Sequence, residues 1–250
     1  DWVARLEYSP DGMQLATASG PNVHVWNTKS GGLIHVLRGH RNNVSVIRYS
    51  SDNTQIATAS WDNTARLWDR KSGKEVALLE GHSNGLWSLE YSADDRFVVT
   101  GSSDFTARIW QTETAQQIRL LRGHQKAVHH IQYSHDGTQL LTGSDDGRVL
   151  AWVPPKPHGP EVFSGHQEFV GSAEYSPDGE RVLTSSSGDN DARIWDATTG
   201  KLLHVLNGHT PRVGDGKLGF SAEHSHDGFS IVTTSSSDKS ARVWSARSGK

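Results

Sequence analysis

The chain has 250 residues, the length of one large domain or two ordinary ones and enough to bury a sizeable core. Apolar residues make up 34% and Gly 25 positions, at the low edge of globular composition, while 25 Lys plus Arg against 28 Asp plus Glu leave a net charge of -3; this balance argues against a basic nucleic-acid binder and a polybasic membrane-surface protein. Zero cysteines exclude disulfides, thiolate metal sites and a cysteine nucleophile, and neither a spanning apolar run nor a leader pattern is visible around Asp1-Trp2-Val3-Ala4-Arg5, so a soluble, cytoplasmic chain is expected.

Internal periodicity organises the whole chain. Trp recurs at 26, 68, 110, 152, 195 and 244, in steps of 42, 42, 42, 43 and 49. Tyr8, Tyr49, Tyr91, Tyr133 and Tyr175 form a second series, with His224 in the sixth place, and Gly-His pairs at Gly39-His40, Gly81-His82, Gly123-His124, Gly165-His166 and Gly208-His209 form a third. The units run at about 1–38, 39–80, 81–122, 123–164, 165–207 and 208–250.

In the first unit Tyr8-Ser9-Pro10-Asp11-Gly12 suits a tight turn, and Ser19-Gly20-Pro21-Asn22 stands where later units have a turn Asp. In the second, Val44 to Tyr49, Gln55 to Ser60, Thr64 to Trp68 and Glu75 to Leu79 read as four short strands. The third repeats that pattern. The fourth carries the Pro-rich run 153–160, a stiff connector that cannot serve a central ladder. The fifth has an inserted Gly188, and the sixth about six extra residues between Thr210 and Phe220. Ser248-Gly249-Lys250 aligns with Thr199-Gly200-Lys201, which precedes Leu202 to Leu206, so the sixth unit lacks its outer strand. A bare edge is avoided in natural sheets, and flanking chain is expected to supply that strand or a further blade. The expected fold is all-β: one domain of small antiparallel four-stranded sheets stacked around an axis, a propeller of six or seven blades.

The succession Gly-His, Ser-x-Asp and Trp-Asp, as in Trp68-Asp69 and Trp195-Asp196, resembles the WD40-repeat family over essentially the whole chain. The Asp after Trp is replaced by Asn27, Gln111, Val153 and Ser245. The resemblance implies a β-propeller that acts as an interaction platform, with an indole, a hydroxyl, an imidazole and a carboxylate hydrogen-bonded in each blade. Mapped onto this chain the sets are His40, Ser60, Asp62, Trp68; His82, Ser102, Asp104, Trp110; His124, Ser144, Asp146, Trp152; His166, Ser187, Asp189, Trp195; and His209, Ser236, Asp238, Trp244, with Ser186 a rival of Ser187. Ser, His and Asp together are also the makings of a polarised nucleophile. Five copies argue for a structural role instead, since buried indole and imidazole nitrogens need partners. No enzyme and no cofactor is therefore expected. His224 and His226 would share a strand face but have no convincing third ligand, so no metal is expected either. Arg66, Arg108, Arg193 and Arg242, each two before the Trp, read as packed stems with wet heads.

Departures from the repeat remain for a partner. The resemblance places the loops holding the Gly-His and the turn Asp on one face, called the top. Positions mapping to its rim are Trp2, Asn43, Ser45, Trp61, Gly85, Trp87, Ser103, Ala127, His129, Asp145, Phe169 and Gly171, with Phe105 beside them. Arg212, Lys217 and Phe220 of the sixth-unit insertion join them as candidates. Trp2, Trp61 and Trp87 lie outside the register of the blade Trp and have the composition of an interaction hot spot; packing between blades is the competing reading. The expected partner is a protein or peptide, not nucleic acid or membrane. The alternative is a glycan, nucleotide or cationic group stacked at the channel mouth by Trp2, Trp87 and His129.

Overall fold

A computed structural model describes residues 5–134, 137–152, 161–197, 199–210 and 220–250. Among them every regular element is a strand, and the chain divides into two compact units, Asp1–Gly123 and His124–Lys250. The first unit holds three sheets: β1 (Arg5–Tyr8), β2 (Gln14–Ser19), β3 (Asn22–Asn27), β4 (Leu33–Leu37); then β5 (Val44–Tyr49), β6 (Gln55–Ser60), β7 (Ala65–Asp69), β8 (Glu75–Leu79); then β9 (Leu86–Tyr91), β10 (Phe97–Ser102), β11 (Thr106–Gln111), β12 (Gln117–Arg122). The second unit holds β13 (Val128–Tyr133), β14 (Leu140–Ser144), β15 (Arg148–Trp152), β16 (Glu161–Ser164); then β17 (Val170–Tyr175), β18 (Arg181–Ser186), β19 (Asp191–Asp196), β20 (Leu202–Leu206); then β21 (Phe220–His224), β22 (Ser230–Ser235), β23 (Ser240–Ser245). Each sheet is an antiparallel meander in chain order, four strands in the first five and three in the last. The sheets are blades of the propeller type, and the sixth has no fourth strand among the described residues.

Turn chemistry fixes where each meander reverses. Ser50 Oγ donates to Asp52 Oδ1 at 2.7 Å and accepts from Gln55 N–H at 2.9 Å, a side-chain staple that recurs as Ser9-Asp11, Ser92-Asp94, Ser176-Asp178 and Ser225-Asp227. These short polar side chains satisfy backbone groups that a tight turn leaves open.

Packing between sheets follows from which strands are covered on both faces. β6, β10 and β18 are buried from their second residue on, and their small Ala, Gly, Ser and Thr residues allow neighbouring sheets to approach. The outer β8 and β12 expose their first residues. In the first unit Ala16, Ala18, Val23 and Val25 pack against Val44, Ile47, Tyr49, Ile56 and Trp68 of the next sheet. Ala57, Leu67 and Leu79 meet Leu86, Leu89, Tyr91 and Trp110 in the same way. Each fully buried Leu or Ile contributes about 1.5–3 kcal/mol. The second unit repeats the arrangement: Leu141, Val149 and Phe163 lie against Tyr175, Val182 and Trp195, and Leu183 and Ile194 against Phe220, Ala222 and Ile231.

Candidate functional site at the Gly-His end of the sheets

The polar chain inside each blade forms, with one member corrected. His40 Nε2 lies 2.8 Å from Thr58 Oγ1, Trp68 Nε1 donates to that same oxygen at 2.9 Å, and His40 Nδ1 lies 2.9 Å from Asp62 Oδ2. An indole only donates, so the threonine oxygen accepts there and sends its own proton to Nε2, leaving the hydrogen on Nδ1 for the carboxylate. The hydroxyl is thus Thr58, not Ser60. Thr100, Thr142, Thr184 and Thr233 do the same, each 2.8 or 2.9 Å from its imidazole and 2.8 Å from its indole. Ladder geometry explains the displacement: Ile56 stands opposite Trp68 and Thr58 opposite Arg66, so the indole reaches diagonally to Thr58 on its own face.

The serines hold the turn instead. Ser60, Ser102 and Ser144 donate to the carbonyls of Asn42, Asn84 and Lys126 and accept from the N–H of Asp62, Asp104 and Asp146. In the fifth blade Ser186, not Ser187, accepts from Asp189 N–H, and in the sixth Ser235, not Ser236, accepts from Ser237 N–H. The carboxylates Asp62, Asp104, Asp146, Asp189 and Asp238 hold their imidazoles as expected, at 2.8–3.1 Å. Thr58, Thr100, Thr142, Thr184 and Thr233 recur in the sequence at the same steps as Ser60, Ser102, Ser144, Ser186 and Ser235, so recurrence alone does not separate the two hydroxyls.

Burial alone would raise the Asp62 carboxyl, but the Thr64 hydroxyl, the Arg41 N–H and His40 outweigh it and bring it down to about 2. Burial pushes the His40 imidazole below its ordinary value, against the pull of Asp62. In this blade the pair therefore rests as neutral His40 and ionised Asp62. Three of the four arginine heads are drier than expected: the Arg66 side chain is 13% exposed and pairs with Glu75, that of Arg108 is 16% exposed, and that of Arg193 is 15% exposed and lies 3.1 Å from Asp191, whereas Arg242 is exposed. Each guanidinium lies over the glycine of the Gly-His pair. A Cβ on Gly165 would come 2.5 Å from Arg193 Nη1 and 3.0 Å from the Trp195 ring, so a side chain there would displace the guanidinium.

Asp191 replaces the hydroxyl residue found two places after the turn Asp in the second, third and sixth blades, and brings His166, Asp189 and Asp191 within 4.8 Å of one another. This cluster of three is the one such group among the described residues. Arg193 offsets one of its two negative charges, with Nη2 3.7 Å from Asp189 and 3.1 Å from Asp191. His224 instead holds Glu174, with Nδ1 2.9 Å from Oε1.

At the rim, backbone geometry does what sequence periodicity does not reveal. In four sheets the first two strands slip by one residue near the start: Val44 faces Ser60 and Val46 faces Ala59, so Ser45 is extruded. By the same shift Trp87, His129 and Gly171 are extruded in the next three sheets. A bulge of this kind re-aims one side chain and turns the rest of the strand over. It also explains a parity oddity, the five-residue step from Val44 to Tyr49, both buried, where strict alternation would put them on opposite faces. The sixth sheet has no slip there: Phe220 pairs with Ser235 and Ser221 with Thr234.

In the first unit the bulge brings Trp87 to Trp61, with ring centroids 5.3 Å apart and planes at 57°. Trp61 N–H donates to the Asn43 carbonyl at 3.0 Å, which holds the turn of the second sheet against the entry to β5. Its ring reaches the third sheet over Gly85, where a Cβ would come 3.2 Å from the Trp61 Cα. Trp87 Nε1 donates to Ser103 Oγ at 2.6 Å. Trp61 remains 40% exposed and Phe105 47%. Phe105 has φ 70°, the left-handed conformation that Asn63 and Gly147 adopt in the corresponding turns. In the second unit His129 Nε2 lies 3.1 Å from Asp145 Oδ2, and its ring stands edge-on to Phe169 at 5.2 Å and 88°.

Two groups of rim candidates have a different fate. Phe220 is 6% exposed and stands edge-on to His209 at 5.4 Å; it is the buried residue that opens β21, the counterpart of Val44, so it packs in the core rather than contacting a partner. Trp2, Arg212 and Lys217 lie outside the described residues.

Comparison with known proteins agrees with this geometry. The family described as "WD domain, G-beta repeat" matches residues 31–69, 73–111, 115–152, 160–196 and 200–245. Among curated relatives, Periodic tryptophan protein 2 of Saccharomyces cerevisiae is 38% identical over 64 residues, 25% of this chain and 7% of that protein. Guanine nucleotide-binding protein subunit beta-5b of Danio rerio is 44% identical over 46 residues, 18% of this chain and 12% of its own length. The Intraflagellar transport protein 122 homolog of Danio rerio is 39% identical over 59 residues, 24% of this chain and 5% of its own. The matched stretches thus span a small part of each relative. With five matched repeats and a Trp-Thr-His-Asp chain in each of five blades, the chain belongs to the WD40-repeat family.

Proposed function

We propose that the chain is a non-catalytic protein-interaction scaffold that holds a protein or peptide segment at the Gly-His end of its sheets, with Trp61 and Trp87 as the anchor in the first unit. The polar groups of the blade interior are committed to one another, which leaves the rim for recognition. The observation that carries the reading is the indole pair, which has no counterpart in the repeat, is placed by a bulge and a glycine contact, and leaves Trp61 well exposed. Exposed, rigid aromatics of this kind are what an interface anchor requires. The zebrafish relative is by name a subunit, one polypeptide of a larger assembly, which accords with a scaffold.

The test is selection of a random peptide display library on the protein and on a Trp61→Ala, Trp87→Ala double variant. Peptides enriched by the parent and lost on the variant, with the thermal transition lowered by only a few degrees, support the reading. Collapse of the transition would assign both rings to packing.

A further inference from the structure

At the end of the sheets away from the Gly-His loops, the position just before the recurring tyrosine carries charge, and the two compact units treat it differently. In Asp1–Gly123 it is Glu7, Arg48 and Glu90, on β1, β5 and β9. The Arg48 guanidinium joins the two carboxylates, with Nη1 3.5 Å from Glu7 and Nε 3.4 Å from Glu90. In His124–Lys250 the same position on β13, β17 and β21 is Gln132, Glu174 and Glu223. Two carboxylates recur and the arginine does not.

A pocket of about 300 Å³ opens at this place in the second unit, with Gln132, Glu174, Tyr175, Glu223, His224 and His226 in its wall. The wall carries two carboxylates, two imidazoles and no lysine or arginine. Arg181, on the adjoining β18, sends its guanidinium to the Ala246 carbonyl at 3.2 Å instead. The space follows from one departure from the repeat. Tyr175 extends its hydroxyl to Gln139 of the preceding sheet at 2.7 Å, whereas the shorter His224 stops at Glu174 of its preceding sheet, with Nδ1 2.9 Å from Oε1. An ionised carboxylate only accepts, so Nδ1 carries the hydrogen and Nε2 of the neutral ring is an acceptor. The His224 side chain is 4% exposed, and its Nε2 is buried with no hydrogen-bond partner among the described residues. Buried acceptors are rarely left without a donor.

We propose that this pocket binds the guanidinium of an arginine side chain, which takes between Glu174 and Glu223 the part that Arg48 plays between Glu7 and Glu90. The site is separate from the Gly-His rim and does not depend on the reading of that rim as a peptide anchor. Carboxylates on neighbouring strands suit the planar, many-donor fork of a guanidinium better than a point-like ammonium. A remaining N–H of the ligand is the donor that His224 Nε2 lacks.

The deciding experiment titrates the isotopically labelled protein with N-acetyl-arginine amide and with its neutral citrulline and cationic lysine counterparts. The signal followed by NMR is the backbone N–H of His224, which donates to Glu174 at 2.7 Å. The expected dissociation constant for the arginine compound is on the order of 1 mM, with the citrulline compound about tenfold weaker. Glu223→Gln, at an exposed position, should weaken arginine binding roughly fivefold. His224→Tyr restores the residue of the other five repeats and should abolish binding by filling the space; if it does not fold, the Glu223→Gln result decides. Absence of any shift at about 50 mM arginine compound, citrulline binding as tight as arginine, or undiminished binding in the Glu223→Gln variant overturns the site. Lysine binding as tight as arginine overturns the guanidinium assignment.

Discussion

Trp68 and Trp61 lie on the same hairpin and have opposite fates. Trp68 is 2% exposed, packs on the preceding sheet and is hydrogen-bonded through Thr58 to His40. Trp61 is 40% exposed and leans on a bulged indole of the next sheet. One recurs in every unit and the other in none. Recurrence here accompanies polar groups consumed inside the blade, and departure accompanies groups left for the surface. The two rims divide along the same line: a pair of indoles in the first unit, an imidazole–carboxylate pair with Phe169 in the second.

The most severe way to break this comparison is to attack the interior at the residue that now carries it. Thr58→Val keeps the shape of the side chain and strands both the Trp68 N–H and His40 Nε2 in a buried site, so a loss of about 3 kcal/mol is expected. Ser60→Ala removes a turn hydrogen bond and should cost about 1 kcal/mol. Urea denaturation of the two variants checks the order. If Ser60 proves the costlier loss, the assignment of the hydroxyl to threonine is wrong.

Acid acts on the same interior through linkage. His40 has its pKa lowered in the folded state by burial, so the unfolded chain takes up that proton first. Stability from this group is complete above about pH 6.5 and declines as the pH falls below it. Asp62, held at about 2 against about 3.9 in an unfolded chain, contributes above about pH 4 and is lost only on the way down towards pH 2. Urea midpoints at a series of pH values should therefore fall in two stages, and His40→Gln should flatten the first. A single fall confined to below pH 4 would show that His40 is not held neutral.

Much of the blade was legible in the residues and part of the site was not. The strands read for the second repeat, residues 39–80, match the observed ones within a residue, because alternating apolar runs between Ser-x-Asp turns leave little freedom. The serine was mistaken for the bridging hydroxyl because it recurs as faithfully as the threonine; only the cross-strand pairing shows which oxygen lies beneath the indole. Phe220 was taken for a loop contact because the insertion before it hid its alignment with Val44, Leu86, Val128 and Val170. The pairing of Trp61 with Trp87 depends on a one-residue slip in the ladder, set by backbone hydrogen bonds, and the five-residue step from Val44 to Tyr49 was its only trace in the sequence.

The gentlest test concerns Phe105, where rim and interior make opposite demands. A bulky side chain at φ 70° pays about 1 kcal/mol in steric strain, since Cβ approaches a carbonyl oxygen that Asn and Gly tolerate better. The second blade places Asn63 in that turn at φ 73°, so Phe105→Asn has a native precedent within the chain. It should raise stability by about 1 kcal/mol or less, read from the urea midpoint. If Phe105 is retained for a partner, the more stable variant will bind selected peptides more weakly, because an exposed ring beside the indoles has been lost. A gain in stability with unchanged binding would remove Phe105 from the rim and confine recognition to Trp61 and Trp87. A loss of stability would mean that the ring packs, and that the strained backbone is held there by contacts its exposure does not reveal.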